Sequence, residues 1–114
     1  MARWTLYHNP SCSKSREALA ALRERDVDLE VVEYLKTPLT ERELASLIIE
    51  LDTDVARLVR QKEELFLAAP FDTKDPKTVA SRLAETPRLL ERPLLRGEGR
   101  VTIGRPLEDL LARL

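Results

Sequence analysis

The chain has 114 residues, 43% of them hydrophobic, enough for one core that buries roughly 65% of the unfolded chain's surface. Lys and Arg number 19 against 20 Asp and Glu, a net charge of −1, so no bulk basic field is present to hold nucleic acid and charge-based recognition must be local. The segment Met1-Ala2-Arg3-Trp4 lacks the apolar run of a signal peptide, no stretch approaches the ~20 apolar residues of a membrane span, and one Cys with one His completes neither an internal disulfide nor a four-ligand zinc site; a cytoplasmic chain with no metal and no membrane partner is expected.

Trp4-Thr5-Leu6-Tyr7 is β-branched and aromatic and stops at His8-Asn9-Pro10, where Pro10 cannot continue ladder pairing, which predicts a first strand at about residues 3–8. After a loop, Ala18, Leu19, Leu22 and Val27 recur at helical spacing with Arg16, Glu17, Arg23 and Glu24 opposite, an amphipathic helix starting near Cys12. Val27, Leu29, Val31 and Val32 then predict a second strand ending at Leu35, completing a βαβ unit with a right-handed crossover. Thr40 and Glu43 form a capping box that opens a helix through Ala45, Leu47, Ile48 and Leu51, and more helix is expected after Thr53-Asp54. Gln61 to Lys74 follows no pattern that fixes its structure. Asp75-Pro76 starts a helix carrying Val79, Leu83 and Ala84 that ends before Pro87, so residues 37–86 read as a mostly helical insert. Leu94-Leu95, Gly97-Glu98-Gly99 and Val101-Thr102-Ile103 signal a hairpin, and Leu107, Leu110, Leu111 and Leu114 a last helix. The expected architecture is α/β in one domain over residues 1–114: a mixed four-stranded sheet, βαβ … ββα, with the helical insert.

Cys12 falls where the first strand has ended and the first helix begins, so its sulfur would meet the unsatisfied N–H groups and positive end of that helix, which favour thiolate. Ser13 and Ser15 can offer hydroxyl hydrogen bonds, and Lys14 and Arg16 add positive charge. The same terminus suits a tetrahedral oxyanion beside the sulfur. A buried structural cysteine is the plainer alternative. His8 could orient a neighbour or shuttle a proton, although a hydrogen-bonded strand-end residue fits equally, and Asn9-Pro10 reads as a turn in which Asn9 bonds its own loop backbone. Arg60 follows an apolar segment, while Arg92 precedes Pro93 and Arg105 precedes Pro106, which holds both extended; converging guanidinium groups would suit a doubly charged small anion.

Taken together, His8-Asn9-Pro10-Ser11-Cys12-Ser13-Lys14-Ser15-Arg16, Arg60, Leu90-Glu91-Arg92-Pro93 and Gly104-Arg105-Pro106 resemble the ArsC family of glutaredoxin-coupled arsenate reductases, and the similarity spans nearly the whole chain. The resemblance implies a thioredoxin-like fold in which Cys12 attacks arsenate, Arg60, Arg92 and Arg105 bind the anion, and Ser15 supports the thiolate. It further implies that Pro93 is the cis-proline of such folds, that glutathione is the co-substrate with no cofactor bound, and that glutaredoxin resolves the mixed disulfide. A single cysteine agrees with an external reductant. The arsenate reductases that resemble low-molecular-weight phosphatases need an arginine six residues after the cysteine, and position 18 is Ala18. Two other readings stay open: a glutathione-dependent thiol reductase of the same family without arsenate activity, and a regulatory binding protein like the Spx regulators. Redox-sensing Spx proteins use a Cys-x-x-Cys pair, and here Ser15 takes the second place.

Overall fold

The computed structural model describes residues 3–114; Met1 and Ala2, part of the segment read above for a leader, lie outside the described residues. The central strand β1, Trp4–His8, ends as expected before Pro10, and the helix α1, Ser13–Glu24, follows after a short loop. The strand β2 is shorter than expected, Leu29–Glu33, because the chain turns at Tyr34 to Lys36, where the amides of Lys36 and Thr37 both bond back to the Glu33 carbonyl. The remaining strands are β3, Leu94–Gly97, and β4, Arg100–Ile103. They form one sheet in the order β2-β1-β3-β4, with β1 parallel to β2 and antiparallel to β3, and β3 antiparallel to β4. This is the mixed α/β sheet of a thioredoxin-like fold.

The two-residue side-chain period of a strand divides the core between the two faces of the sheet. Trp4, Leu6 and Leu95 pack on one face against Ala18 and Leu22 of α1 and Leu110 of the last helix, α5, Leu107–Leu111. Tyr7, Leu94, Val101 and Ile103 face the other way, into the larger cluster built with the helical segment between β2 and β3. Leu94 and Leu95 are neighbours in sequence, fully buried on opposite faces, each such side chain contributing about 1.5–3 kcal/mol.

Between β2 and β3, helix α2, Glu41–Glu50, opens on the expected capping box: Thr40 Oγ1 accepts from the Glu43 amide at 3.0 Å, and Glu43 Oε1 accepts from the Thr40 amide at 3.1 Å. Leu44 and Leu47 turn inward against Val79, Ala80 and Leu83 of α4, Pro76–Glu85, with α3, Glu64–Ala68, between them in sequence. The helix expected after Thr53-Asp54 is a single 3₁₀ turn, Val55–Leu58. Its continuation is blocked because Val59 bridges Leu90, with the Arg60 amide on the Leu89 carbonyl at 2.8 Å and the Glu91 amide on the Leu58 carbonyl at 2.7 Å. The hairpin turns through Glu98 and Gly99, both at positive φ (54° and 77°), the backbone twist that a two-residue hairpin turn requires. Among the described residues no helix is long and apolar enough to cross a membrane.

Candidate active site

Cys12 is the N-cap of α1, in extended backbone conformation, with its amide on the Asn9 carbonyl at 3.0 Å and its carbonyl accepting the Arg16 amide at 3.0 Å. The loop that delivers it is self-braced: Asn9 Oδ1 accepts the Ser11 amide at 2.9 Å, as its turn role predicts, and Arg16 Nη1 donates to the Pro10 carbonyl at 2.9 Å. The side chain is 8% exposed. Burial pushes the thiol up, but the main-chain N–H groups of Ser15 and Lys14 and the charges of Arg92 and Arg105 outweigh it, so the net shift is below the ordinary thiol value. The same groups that lower it favour the thiolate, the form in which a cysteine is a nucleophile.

The support from Ser15 takes a different form from the expected hydroxyl bond. Its Oγ accepts the Asn9 amide at 3.0 Å and lies 2.7 Å from His8 Nδ1. The hydroxyl is therefore spent on tying the end of β1 to the first turn of α1, and Ser15 acts on the sulfur through its main chain. The Ser15 hydroxyl and His8 Nδ1 thus share one hydrogen bond whose direction follows the imidazole tautomer. Burial, the largest influence on His8, holds its pKa below the usual histidine value, in agreement with a neutral ring.

Three segments far apart in sequence supply the arginines. The Arg92–Pro93 and Arg105–Pro106 peptides are both cis, the first as the resemblance implies and the second with no forewarning in the sequence. Arg105 donates from Nε to the Arg92 carbonyl at 2.8 Å and reaches Cys12 Sγ with Nη2 at 3.4 Å. Arg92 is largely buried, its charge helps to lower the Cys12 pKa, and its Nε has no hydrogen-bond partner among the described residues. Arg60 lines the same open cleft of about 620 Å³ as Arg92 and Arg105, but its guanidinium is turned aside, 3.1 Å from Glu63 Oε2 and donating to the Arg88 carbonyl at 3.0 Å. Thus Arg105 contacts the sulfur, Arg92 acts on it through its charge, and Arg60 stands in the cleft without a bond to it.

Three further residues belong to the site. Glu91 Oε1 lies 3.4 Å from Arg92 Nη1 and 3.3 Å from Arg105 Nε, and Glu63 pairs with Arg60 and also with Arg88 at 3.6 Å. Tyr34, 2% exposed, is pushed up to about 12 by burial against the pull of Arg92 and Arg60, and it feels the charge of Cys12. Glu63 follows Arg60 by three residues and Glu91 adjoins Arg92, so charge spacing held a signal for both; Tyr34 had only its place at the end of a strand beside the one that leads to Cys12. The arrangement can activate a thiolate, hold a small tetrahedral anion between guanidinium groups and keep a neutral histidine behind the loop.

The chain is similar to known proteins over nearly its whole length. The chain is 40% identical to the arsenate reductase of Neisseria meningitidis serogroup A over 112 residues, 96% of either chain. It is 41% identical over 109 residues to the uncharacterized protein YfgD of Escherichia coli, 93% of this chain and 92% of that one. Among solved structures, an arsenate reductase from Vibrio cholerae superposes with a TM-score of 0.88 at 36% identity, covering 99% of this chain and 98% of the other. The ArsC family model matches residues 7–113, a span that runs from β1 past every side chain of the cleft, and the chain belongs to the ArsC family.

Proposed function

We propose that this protein is a cytoplasmic arsenate reductase that draws its electrons from glutathione and glutaredoxin, one thioredoxin-like domain with its helical insert closing the cleft. The observation that carries the reading is the Arg105 Nη2 contact with Cys12 Sγ at 3.4 Å, since the same Arg105 lines a cleft with Arg60 and Arg92, which brings anion-binding groups to the nucleophile. The Cys12 thiolate attacks the arsenic of arsenate and a water leaves, giving a thiol-arsenate adduct in which arsenic is still pentavalent. Arg92, Arg105 and Arg60 hold the oxygens and take up the charge that builds there. Glutathione thiolate then attacks Sγ; the sulfur–arsenic bond breaks with its electron pair on arsenic, which leaves as arsenite, and a Cys12–glutathione disulfide remains. Glutaredoxin takes the glutathionyl group and returns Cys12 to thiolate. With a single cysteine the chain has no internal thiol for this step.

A second reading, a glutathione-dependent thiol reductase without arsenate activity, needs only the lowered Cys12 thiol and an external reductant, which the single cysteine also fits. The deciding experiment is arsenite production from arsenate by the purified protein with glutathione and glutaredoxin, each omitted in turn. Production that needs all three components is the expected result. No arsenite, with Cys12 reactive and a glutathionylated model disulfide turned over, selects the second reading.

A further inference from the structure

The arginine cluster carries a resident carboxylate whose place bears on which anions it accepts. A single oxygen, Glu91 Oε1, lies 3.4 Å from Arg92 Nη1 and 3.3 Å from Arg105 Nε, and accepts the Arg92 amide at 3.1 Å. Another nitrogen of that Arg105 guanidinium, Nη2, is the one 3.4 Å from Cys12 Sγ. Glu91 also lines the cleft with Arg60, Arg92 and Arg105. An oxyanion seated between the sulfur and these guanidinium groups therefore shares them with Glu91.

Guanidinium donors alone do not separate one tetrahedral anion from another, since phosphate, arsenate and sulfate present the same acceptor oxygens at similar charge. A carboxylate does separate them. It only accepts hydrogen bonds, so a facing oxygen is tolerated when it carries a proton to donate and repelled when it does not. Arsenate and phosphate keep at least one hydroxyl at neutral pH, whereas sulfate keeps none. A site built to bond a substrate hydroxyl rejects the analogue that lacks it, because its polar group is then left facing a like charge.

Resting on the oxyanion reading above, we infer that Glu91 is a specificity residue that admits oxyanions bearing a hydroxyl and rejects sulfate. Its bonds to Arg92 and Arg105 also orient both side chains, but an orienting role by itself would alter the affinity for all these anions alike. The discriminating quantity is the ratio between anions, not the affinity for one.

The test is protection of Cys12 from iodoacetamide by arsenate, phosphate and sulfate, in wild type, Glu91→Gln and Glu91→Ala, with circular dichroism to confirm folding. In wild type, arsenate and phosphate should protect at concentrations about 10- to 100-fold below sulfate, the worth of one hydrogen bond to a charged group. In both variants the gap should close, chiefly because sulfate gains. Equal protection by phosphate and sulfate in wild type, a readout independent of how any variant folds, overturns the inference, as does an unchanged gap in folded variants. If no oxyanion protects a reactive wild-type Cys12, the oxyanion reading falls and this inference with it; if sulfate protects as well as arsenate and phosphate, only this inference falls.

Discussion

The two ends of β1 both gather arginines, and they use them in opposite ways. Where β1 begins, Arg113 donates to the Gly97 carbonyl at 2.6 Å, to Thr102 Oγ1 at 2.9 Å and to the Arg100 carbonyl at 3.3 Å, with its guanidinium over the Trp4 ring at 5.1 Å. Its donors are consumed by the fold, and it clamps the hairpin to the start of the strand. Where β1 ends, Arg92 keeps a buried Nε without a partner, and Arg105 spends one donor on a sulfur. A buried donor left open costs about 1–3 kcal/mol, a cost that a purely structural arginine has no reason to carry. Arg113 thus holds the scaffold, whereas Arg92 and Arg105 act on the sulfur.

The largest effect that would test this contrast lies at the sulfur itself. Cys12→Ser should lower arsenate turnover by more than about 1,000-fold while leaving the thermal unfolding midpoint nearly unchanged, because it removes the nucleophile and keeps the shape. Next come the open arginines: Arg92→Ala and Arg105→Ala should each lower kcat/KM by about 100- to 1,000-fold, the loss typical of one donor aimed at developing charge. The same two substitutions should shift the pH profile of Cys12 alkylation. The thiolate is the reacting form, and its lowered pKa places the wild-type midpoint below that of an ordinary thiol; removing a favourable cation moves the midpoint upward, more for Arg92 than for Arg105.

Arg113→Ala should do the reverse, destabilising the fold by about 1–3 kcal/mol in denaturant titration while leaving the alkylation profile where it was. Equal effects of Arg113 and Arg92 on Cys12 reactivity would erase the distinction between the two ends. The smallest expected change is Thr40→Ala, which removes the capping box of α2 far from the sulfur and should cost about 1 kcal/mol in unfolding with no change in thiol reactivity.

Much of the scaffold was open to sequence reasoning because its determinants are local. Pro10 ends β1, Thr40 and Glu43 cap α2, Pro76 begins α4, and Gly99 serves a turn whose backbone favours glycine. Each depends on residues within a few positions of one another, so periodicity and turn chemistry suffice. The same holds for Cys12, whose place at a helix N-terminus follows from the end of one element and the start of the next. The 3₁₀ turn at Val55–Leu58 escaped local reasoning because a bridge from Val59 to Leu90 stops the helix.

Local sequence signals were enough to order most of the elements, to put Cys12 at a helix N-terminus and to single out a set of candidate arginines, but not to find α3. Which of those arginines meet the sulfur was decided only by the packing of the sheet, since Cys12 and Arg105 are 93 residues apart and their contact depends on β1 lying against β3. Packing likewise turned the Ser15 hydroxyl to His8, turned Arg60 toward Glu63 and set Glu91 between Arg92 and Arg105. Hydrogen-bond direction and charge pairing at a distance depend on three-dimensional neighbours, and no spacing along the chain encodes them.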